Sequence, residues 1–262
     1  MQKNIFDLSG KTVIVAGGAG YLGMPSCEAL LGNGATVLIA DINAEKLEAA
    51  ENNFVPLFGK DRISVFKMDA SDSDSIKAMF YHARQKYGGL YGFVNATYMS
   101  ISKKVEDLLP EEFDKANHVN ITASFLMARC AAEAIENNGS IVMFSSMYGL
   151  VSPDPHVYEK PMNPNPIEYG AGKAAIIQMT KYLAAHYGHR NIRVNAVAPG
   201  PFPFPSLQEK EPEFIQRLAK KTMLGRIGRQ EELAGAVVYL ISNASSYVTG
   251  QCIVVDGGWT AW

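Results

Sequence analysis

The sequence lacks the features of a membrane protein, of a secreted disulfide-bonded scaffold and of a nucleic-acid-binding protein. No uninterrupted apolar stretch reaches the length of about 20 residues that crosses a bilayer, and residues 1–7 lack the apolar core of a signal peptide. Cys27, Cys130 and Cys252 lie far apart and form neither a metal-ligand spacing nor a disulfide framework. A net charge of -2 gives no indication of a nucleic-acid partner. We therefore expect a cytoplasmic protein with reduced thiols and with neither a membrane nor a nucleic acid as its partner.

No linker-like composition divides the chain, which favours a single domain over residues 1–262. The chain is long enough to form a sizeable core, and its 47% hydrophobic and 19% charged residues are an ordinary globular balance. Strand-like apolar runs alternate with helical patterns, as is typical of a parallel sheet covered on both faces. Two irregular stretches interrupt the alternation: a proline-rich insert over residues 147–168 and a Pro/Phe-rich segment that begins at Pro199.

A glycine-rich turn follows the first strand-like run, Thr12–Ala16, and precedes a helical pattern. Its glycines are Gly17, Gly18, Gly20 and Gly23. Glycines permit a tight turn and let the backbone approach a pyrophosphate, which the N-terminus of the next helix attracts. This pattern predicts a dinucleotide-binding site.

An acidic residue, Asp41, ends the second strand-like run, about 20 residues beyond the glycines. A carboxylate at this place accepts hydrogen bonds from a ribose diol and repels a 2′-phosphate. The nearest base downstream is Lys46, and the glycine turn contains none. We therefore expect NAD(H) to be preferred over NADP(H).

Tyr169 and Lys173 stand four residues apart in a predicted helix, and they follow Ser146 along the chain. Because positions i and i+4 share one helix face, the phenol and the ammonium can point into the same space. A tyrosine titrates near ~10 in water, and a nearby cation favours its phenolate and lowers that pKa. A tyrosine tuned in this way can exchange a proton with an alcohol or a carbonyl oxygen.

Together these motifs resemble the short-chain dehydrogenase/reductase family, over essentially the whole chain. The resemblance is carried by residues 16–23, Asp69, residues 94–97, Asn120, Ser146, Tyr169 with Lys173, residues 195–200 and residues 250–258. The tail over residues 255–262 is similar to a subgroup associated with bacterial surface-polysaccharide or flagellin-glycan genes.

The resemblance implies an α/β fold of the Rossmann type: a doubly wound, seven-stranded parallel sheet in the order 3-2-1-4-5-6-7, with helices on both faces. It implies a small-molecule substrate, a lid over the active site at about residues 199–222, and a homotetramer or homodimer formed through the long helices and the C-terminal strand. It calls for no metal.

The family pattern also implies the roles of individual residues. Tyr169 is the acid/base, Lys173 binds the nicotinamide ribose, and Ser146, preferred over Ser145, donates to the substrate oxygen. Asn120 is placed at a bend in a helical segment over residues 110–137, where it holds a water leading to Lys173. The cofactor-binding positions carried over are Gly17, Gly20, Tyr21, Leu22, Gly23, Asp41, Ile42, Asp69, Ala70, Asn95, Ala96, Tyr169, Lys173, Pro199, Gly200 and Phe202.

Three departures from the family pattern concern the site. The glycine spacing 17-x-x-20-x-x-23 is similar to that of sugar-nucleotide epimerases, although the chain is too short for their larger substrate domain. Residues 95–98 read Asn-Ala-Thr-Tyr in place of Asn-Asn-Ala-Gly. The interval from Ser146 to Tyr169 is long, and Tyr158 falls nearer the usual distance. Because Met162 stands four residues after Tyr158, where the motif needs a lysine, we assign the acid/base role to Tyr169.

The sequence thus predicts an oxidoreductase that transfers a hydride between NAD(H) and a secondary alcohol or ketone of a polar, carbohydrate-type substrate. Three alternatives stay open: a 3-oxoacyl carrier-protein reductase, against which Asp41 counts because those enzymes usually prefer NADPH, a sugar-nucleotide epimerase, and a non-catalytic dinucleotide-binding protein. Side chains of the insert that could contact substrate are His156, Tyr158, Glu159 and Lys160. In the lid, Phe204 replaces the threonine with which the family contacts the nicotinamide amide.

Overall fold

The structure, a computed structural model, describes residues 4–262 and contains one seven-stranded parallel sheet. Its strands are β1 (Thr12–Ala16), β2 (Thr36–Asp41), β3 (Ile63–Lys67), β4 (Gly92–Asn95), β5 (Gly139–Phe144), β6 (Ile192–Pro199) and β7 (Cys252–Val255). They lie in the order β3-β2-β1-β4-β5-β6-β7, and every pair is parallel. This arrangement confirms the predicted Rossmann-type topology.

Nine α-helices are found among residues 4–262. They are α1 (Gly23–Gly32), α2 (Ala44–Phe58), α3 (Ser73–Tyr87), α4 (Pro110–Asn117), α5 (Ser124–Ile135), α6 (Ile167–Tyr187), α7 (Pro205–Lys210), α8 (Pro212–Lys221) and α9 (Glu231–Ile241). A π-helical turn, His118–Ala123, joins α4 to α5 and contains Asn120. The predicted bend at this residue is therefore a π-bulge, a distortion that frequently occurs at functional sites. Within the described residues, no helix is long and apolar enough to span a bilayer.

Successive side chains of a strand point to opposite faces of the sheet, so the core is divided into two layers. In β1, Val13 and Val15 face a layer formed with α1, α2 and α9, while Ile14 faces a layer formed with α3, α5 and α6. All three side chains are fully buried, and burial of one such side chain stabilises the fold by about 1.5–3 kcal/mol. The sheet is therefore held on both faces and gives the loops at its edge a rigid base.

The loops after β1 and β4 meet at the carboxyl edge of the sheet, where the strand order reverses. Gly17, after β1, has φ of +74°, and a Cβ atom there would lie 2.8 Å from the carbonyl carbon and oxygen of Ala96, after β4. Only glycine allows the two turns to approach so closely. In open α/β sheets, ligands bind at such a switch point.

A third, smaller apolar cluster lies outside the two layers and joins the insert to the lid. It contains Met147 and Val157 of the insert, Phe214 and Leu218 of α8, and Trp259 near the C-terminus. Two ion pairs add to the contact: Arg217 with Glu159 at 3.1 Å and Lys221 with Asp154 at 2.8 Å. The two irregular stretches of the sequence therefore pack on each other.

Candidate active site

A cavity of about 740 Å³ opens at the switch point, at the carboxyl edge of the sheet. Most of the predicted site residues line it: Gly17, Gly20, Tyr21, Leu22, Gly23, Asp41, Ile42, Asp69, Ala70, Ala96, Ser146, Tyr169, Lys173, Pro199, Gly200 and Phe202. Two predicted residues, Asn95 and Asn120, do not line it. Among the residues that the structure describes, no three His, Cys, Asp or Glu side chains come close enough to hold a metal ion.

The glycine turn brings backbone rather than side chains to one end of the cavity. A Cβ atom at Gly18 would lie 2.7 Å from the carbonyl oxygen of Val15, and one at Gly23 would overlap the carbonyl oxygen of Gly17. Gly23 begins α1, and no side chain caps this end of the helix. The first N–H groups of α1 are therefore free of side-chain caps and carry the positive end of the helix dipole, which suits an anion such as a pyrophosphate.

Carboxylates lie at the same end of the cavity. Asp41 ends β2, and its Oδ1 accepts a hydrogen bond from the Asn43 amide at 3.1 Å, which leaves the second oxygen for a ligand. Hydrogen bonds from the Ser71 hydroxyl and amide, at 2.7 and 2.8 Å, hold the pKa of Asp69 below its ordinary value. Lys46 also lines this end of the cavity, so the cation that the sequence places nearest to Asp41 lies in the same site.

Ser146, Tyr169 and Lys173 meet at the other end of the cavity. Ser146 follows β5, its Oγ accepts from the Tyr148 amide at 3.1 Å, and its side chain lies close enough to Tyr169 to lower the pKa of the phenol. Tyr169 lies in the first turn of α6, one turn before Lys173, whose Nζ is 5.6 Å from the centre of the Tyr169 ring. Ser145 donates instead to the carbonyl oxygen of Lys173 at 2.7 Å. Of the two serines, Ser146 therefore has the geometry to act together with Tyr169.

Lys173 does not lower the pKa of Tyr169 as the sequence led us to expect. Burial raises the pKa of Tyr169 to about 12, and the nearby Ser146 side chain opposes this only in part. Burial also lowers the pKa of Lys173 to about 7. The amine donates to the carbonyl oxygens of Phe144 at 2.8 Å and Thr97 at 3.5 Å. It is engaged with backbone in this structure, and loss of water dominates the electrostatics of the phenol.

Asn95 and Asn120 shape the wall of the cavity from behind. Asn95 accepts from the Thr97 amide and hydroxyl at 3.1 and 2.7 Å. Asn120 accepts from the Met99 amide at 2.9 Å and donates to the Met99 carbonyl oxygen at 2.8 Å. Both asparagines are buried, and each fixes the backbone of a loop that lines the cavity.

Tyr158, the alternative to Tyr169, lies away from the cavity. Its hydroxyl is 2.6 Å from that of Tyr148, and its ring packs on Phe214 with centroids 5.4 Å apart. His156 is bound to Asp154 at 2.9 Å, and none of the four insert residues suggested by the sequence lines the cavity. The insert contributes Asn165 and Pro166 instead.

Sequence patterns did not identify several cavity residues that lie in irregular backbone. They are Ser100 and Ser102 after β4, Asn165 and Pro166 of the insert, and Pro203 and Leu207 of the lid, whereas Tyr98 and Met99 line the cavity as the sequence suggested. Phe204 of the lid packs against Tyr21 of the glycine turn, with ring centroids 4.9 Å apart. Beyond Tyr98 the loop after β4 has no period from which the positions of Ser100 and Ser102 could be predicted.

Comparison with known proteins identifies the family. Residues 22–260 match the family described as Enoyl-(Acyl carrier protein) reductase. A 2,5-dichloro-2,5-cyclohexadiene-1,4-diol dehydrogenase of Sphingobium indicum is 34% identical over 262 residues, covering 97% of this chain and 99% of that protein. A 3-oxoacyl-(acyl-carrier-protein) reductase of Thermotoga maritima is 35% identical over 254 residues, covering 96% and 98%.

A solved structure supports the same assignment. The short-chain dehydrogenase of Leptospira borgpetersenii with bound NAD+ superimposes with a TM-score of 0.85 at 30% identity, covering 99% of this chain and 97% of that one. Fold, site geometry and relatives agree over nearly the whole length. The chain therefore belongs to the short-chain dehydrogenase/reductase family, whose members are oxidoreductases that act on CH–OH groups with a nicotinamide cofactor.

Proposed function

We propose that the protein is an NAD(H)-dependent dehydrogenase that interconverts a secondary alcohol and a ketone in a polar, carbohydrate-type substrate. The observation that carries this proposal is the convergence of Ser146, Tyr169 and Lys173 on the cavity that the glycine turn also lines. When bound, the nicotinamide supplies the hydride in one direction and accepts it in the other. The sugar-nucleotide epimerase alternative is not favoured, because only the glycine spacing supports it.

The chain fits a dinucleotide at both ends of the cavity. The glycine backbone and the uncapped start of α1 suit the pyrophosphate, and the Asp41 carboxylate suits the adenosine ribose. Pro199, Gly200 and Phe202, which end β6 and begin the lid, are assigned to the nicotinamide end. The ammonium form of Lys173 is assigned to the second ribose.

Tyr169 Oη carries the proton of the reaction. In the alcohol direction, Oη as a phenolate accepts the proton of the substrate hydroxyl, and in the ketone direction, Oη as a phenol returns a proton to the carbonyl oxygen. Ser146 Oγ donates a hydrogen bond to the same substrate oxygen, on which negative charge develops during reduction. Phe202, Phe204 and Leu207 give the cavity an apolar wall on the side of the lid, and hydrogen bonds are stronger beside apolar groups than in water.

NAD(H) is proposed over NADP(H), since the carboxylate of Asp41 would repel a 2′-phosphate. Lys46 in the same part of the cavity opposes this effect, but its side chain is exposed to solvent, which screens its charge. The test is the ratio of kcat/KM with NAD+ to that with NADP+. We expect the wild type to favour NAD+, and Asp41→Asn to lower the ratio by about tenfold or more. Lys46→Ala should raise it. An unchanged ratio in Asp41→Asn would show that this carboxylate does not lie at the ribose.

The substrate class is tested by a screen for NAD+ reduction. The compounds are polyols such as sorbitol and ribitol, amino sugars such as N-acetylglucosamine, and sugar phosphates such as glucose 6-phosphate. Turnover of a member of this set supports the proposal. NADH binding by fluorescence titration without turnover of any alcohol or ketone would favour a non-catalytic binding protein instead.

A second candidate is reduction of a 3-oxoacyl carrier-protein substrate. The Thermotoga maritima relative at 35% identity favours it, whereas Asp41 counts against it. Acetoacetyl-CoA with NADPH distinguishes the two functions. If the protein is a 3-oxoacyl reductase, it should reduce this thioester faster than it oxidises any polyol of the screen.

We further infer that the protein is cytoplasmic and assembles into a homodimer or a homotetramer. Phe125 on α5, Tyr182 on α6 and Val254 on β7 are exposed, and β7 is an edge strand with unpaired backbone groups. These surfaces lie on the helices and the strand through which the sequence predicted assembly. A monomer in sedimentation at micromolar concentration would contradict the inference.

A further inference from the structure

The loop that separates β4 from α4 forms one wall of the cavity next to Tyr169. Thr97, Tyr98, Met99, Ser100 and Ser102 all line the cavity. The Tyr98 ring stands edge-on to the ring of Tyr169, with centroids 6.0 Å apart and planes at 86°. The position of this loop therefore determines the space and the polar groups that meet a substrate bound at Tyr169.

The backbone does not hold this loop by itself. Within the described chain, residues 97–103 take part in no backbone–backbone hydrogen bond. Ser102 has φ of +60°, in the left-handed region that costs a residue with a side chain free energy unless its surroundings enforce it. An irregular loop with a disfavoured residue keeps one conformation only if other groups anchor it.

Asn95 holds the start of the loop at Thr97, and two further buried side chains anchor residues 99–102. Asn120 binds both the amide and the carbonyl of Met99. Glu168 is fully buried, and its Oε1 accepts from the Ile101 amide at 2.8 Å, from the Ser102 amide at 3.3 Å and from the Ser100 hydroxyl at 3.3 Å. The anchor at Glu168 thus includes the residue with positive φ.

Glu168 is not an ordinary acidic residue in the first turn of a helix. Such a residue is exposed and interacts with the helix dipole through water, whereas Glu168 has no solvent-accessible surface. Its Oε2 has no hydrogen-bond partner, and no cation lies within ion-pair distance, among residues 4–262. Burial of an acid is unfavourable unless specific bonds offset it, and the bonds observed here go to the loop.

We propose that Glu168 is a positioning residue that fixes the substrate-facing wall, residues 97–102, against Tyr169 and thereby sets the affinity for the substrate. The inference rests on the proposed function, because it assumes that a substrate is bound and converted at Tyr169. Glu168 immediately precedes Tyr169 in α6, so one turn of one helix carries both the acid/base and the anchor of the opposite wall.

Three substitutions of Glu168 distinguish the effects of its hydrogen bonds, its charge and its length. Glu168→Ala removes the carboxylate altogether. Glu168→Gln keeps an acceptor at the position of Oε1 without the charge. Glu168→Asp keeps the charge but withdraws the carboxylate by one methylene, and it serves as the test if Glu168→Ala does not fold. Glu106→Ala, an exposed acid further along the same loop, is the matched control.

The measurements are steady-state kinetics with NAD+ and the best alcohol from the screen above, NADH affinity by fluorescence, and amide exchange at Ile101 and Ser102. For Glu168→Ala and Glu168→Asp we expect a rise in KM of about tenfold or more, with kcat and the Kd of NADH within about threefold of wild type. Exchange at both amides should become faster. Glu168→Gln and Glu106→Ala should keep KM within about threefold of wild type and retain protection of both amides.

Several results would overturn the proposal. One is an unchanged KM and unchanged amide exchange in Glu168→Asp and Glu168→Ala. Another is a parallel fall in stability, kcat and NADH affinity without a rise in KM, since this is the signature of general structural damage. Absence of turnover in the wild type would reject the proposed function instead, and amide exchange would still show whether Glu168 anchors the loop.

Discussion

Burial shifts the pKa values of Tyr169 and Lys173 in opposite directions, upward for the phenol and downward for the amine. Loss of water disfavours the charged form of each group, the phenolate in one case and the ammonium in the other. With a pKa of about 12, Tyr169 holds its proton at neutral pH, whereas Lys173, with a pKa of about 7, is close to half protonated. The resting site therefore already holds the proton that ketone reduction uses.

This protonation state predicts how alcohol oxidation depends on pH. Only the phenolate form of Tyr169 can accept the alcohol proton, and its fraction grows about tenfold per pH unit below the pKa. We expect kcat/KM for oxidation to rise between about pH 7 and pH 9, with a slope of up to about tenfold per unit, while ketone reduction does not rise. A flat or falling oxidation profile in this range would contradict the assignment of Tyr169.

The lowered pKa of Lys173 predicts that the free energy of unfolding rises with pH. Its folded pKa of about 7 lies below the value of about 10.4 for an unfolded lysine. Between these values the unfolded chain binds one more proton than the folded chain, so the free energy of unfolding rises with pH, by at most about 1.4 kcal/mol per unit. This contribution is fully present above the unfolded pKa and is lost as the pH falls through the folded pKa.

The variant Lys173→Met isolates this contribution, since methionine does not titrate. In urea unfolding, the stability of the wild type relative to the variant should increase from about pH 7.5 to about pH 9.5, by roughly 1–3 kcal/mol in total. A difference that stays constant or decreases with pH would show that the lysine is protonated in the folded state.

At the scale of elements, α6, which carries Glu168, packs on the π-helical turn, which carries Asn120. Gly172 of α6 faces Asn120 and Asn117, and a Cβ atom there would lie 2.7 Å from the Asn120 Cβ and 2.8 Å from the Asn117 Oδ1. The absence of a side chain at this position allows the helix that carries Tyr169 to approach the turn that carries Asn120.

Substitution Gly172→Ala tests the approach of these two elements. Helix propensity alone would favour alanine by about 0.5–1 kcal/mol, but the overlap with atoms next to the backbone costs about 1–3 kcal/mol. We expect a net loss of about 1–2 kcal/mol in the free energy of unfolding, together with a higher substrate KM, because Asn120 positions Met99.

The matched control is Gly235→Ala in α9, where a Cβ atom would meet nothing within 4 Å. Helix propensity acts alone at this site, so we expect stability to increase by up to about 1 kcal/mol. If both variants were stabilised to the same extent, α6 would not be packed on the π-helical turn as the structure shows.

The parts of the site that local patterns determine were predictable, and those formed by irregular segments were not. Gly17 and Asp41 are tied to strand ends, and Tyr169 with Lys173 to a helical period, so their places followed from the sequence. The anchoring by Glu168 and the contact of Phe204 with Tyr21 depend on loops that have no period. The pKa shift of Tyr169 was predicted with the wrong sign, because a sequence shows a neighbouring cation but not the extent of burial.

At the scale of the whole molecule, the fold concentrates the chemistry at one edge of the sheet. The strand order brings the ends of β1 and β4 together for the cofactor, while β5 and α6 supply Ser146 and Tyr169 on the far side of the same cavity. The insert and the lid cover this edge and pack on each other through the cluster that includes Phe214 and Trp259. Differences in substrate between this chain and its relatives are therefore expected to arise in these two segments and in the loop after β4.

The most direct test of the account is the variant Tyr169→Phe, which removes one oxygen atom and leaves the ring that packs on Tyr98. With the best alcohol from the screen, the account predicts a loss of kcat of about 100-fold or more, since general acid/base catalysis contributes about 10²–10⁴-fold. It also predicts an affinity for NADH, measured by fluorescence, within about threefold of wild type. Turnover close to that of the wild type, with NADH still bound, would show that the proton passes through another group and would contradict the account.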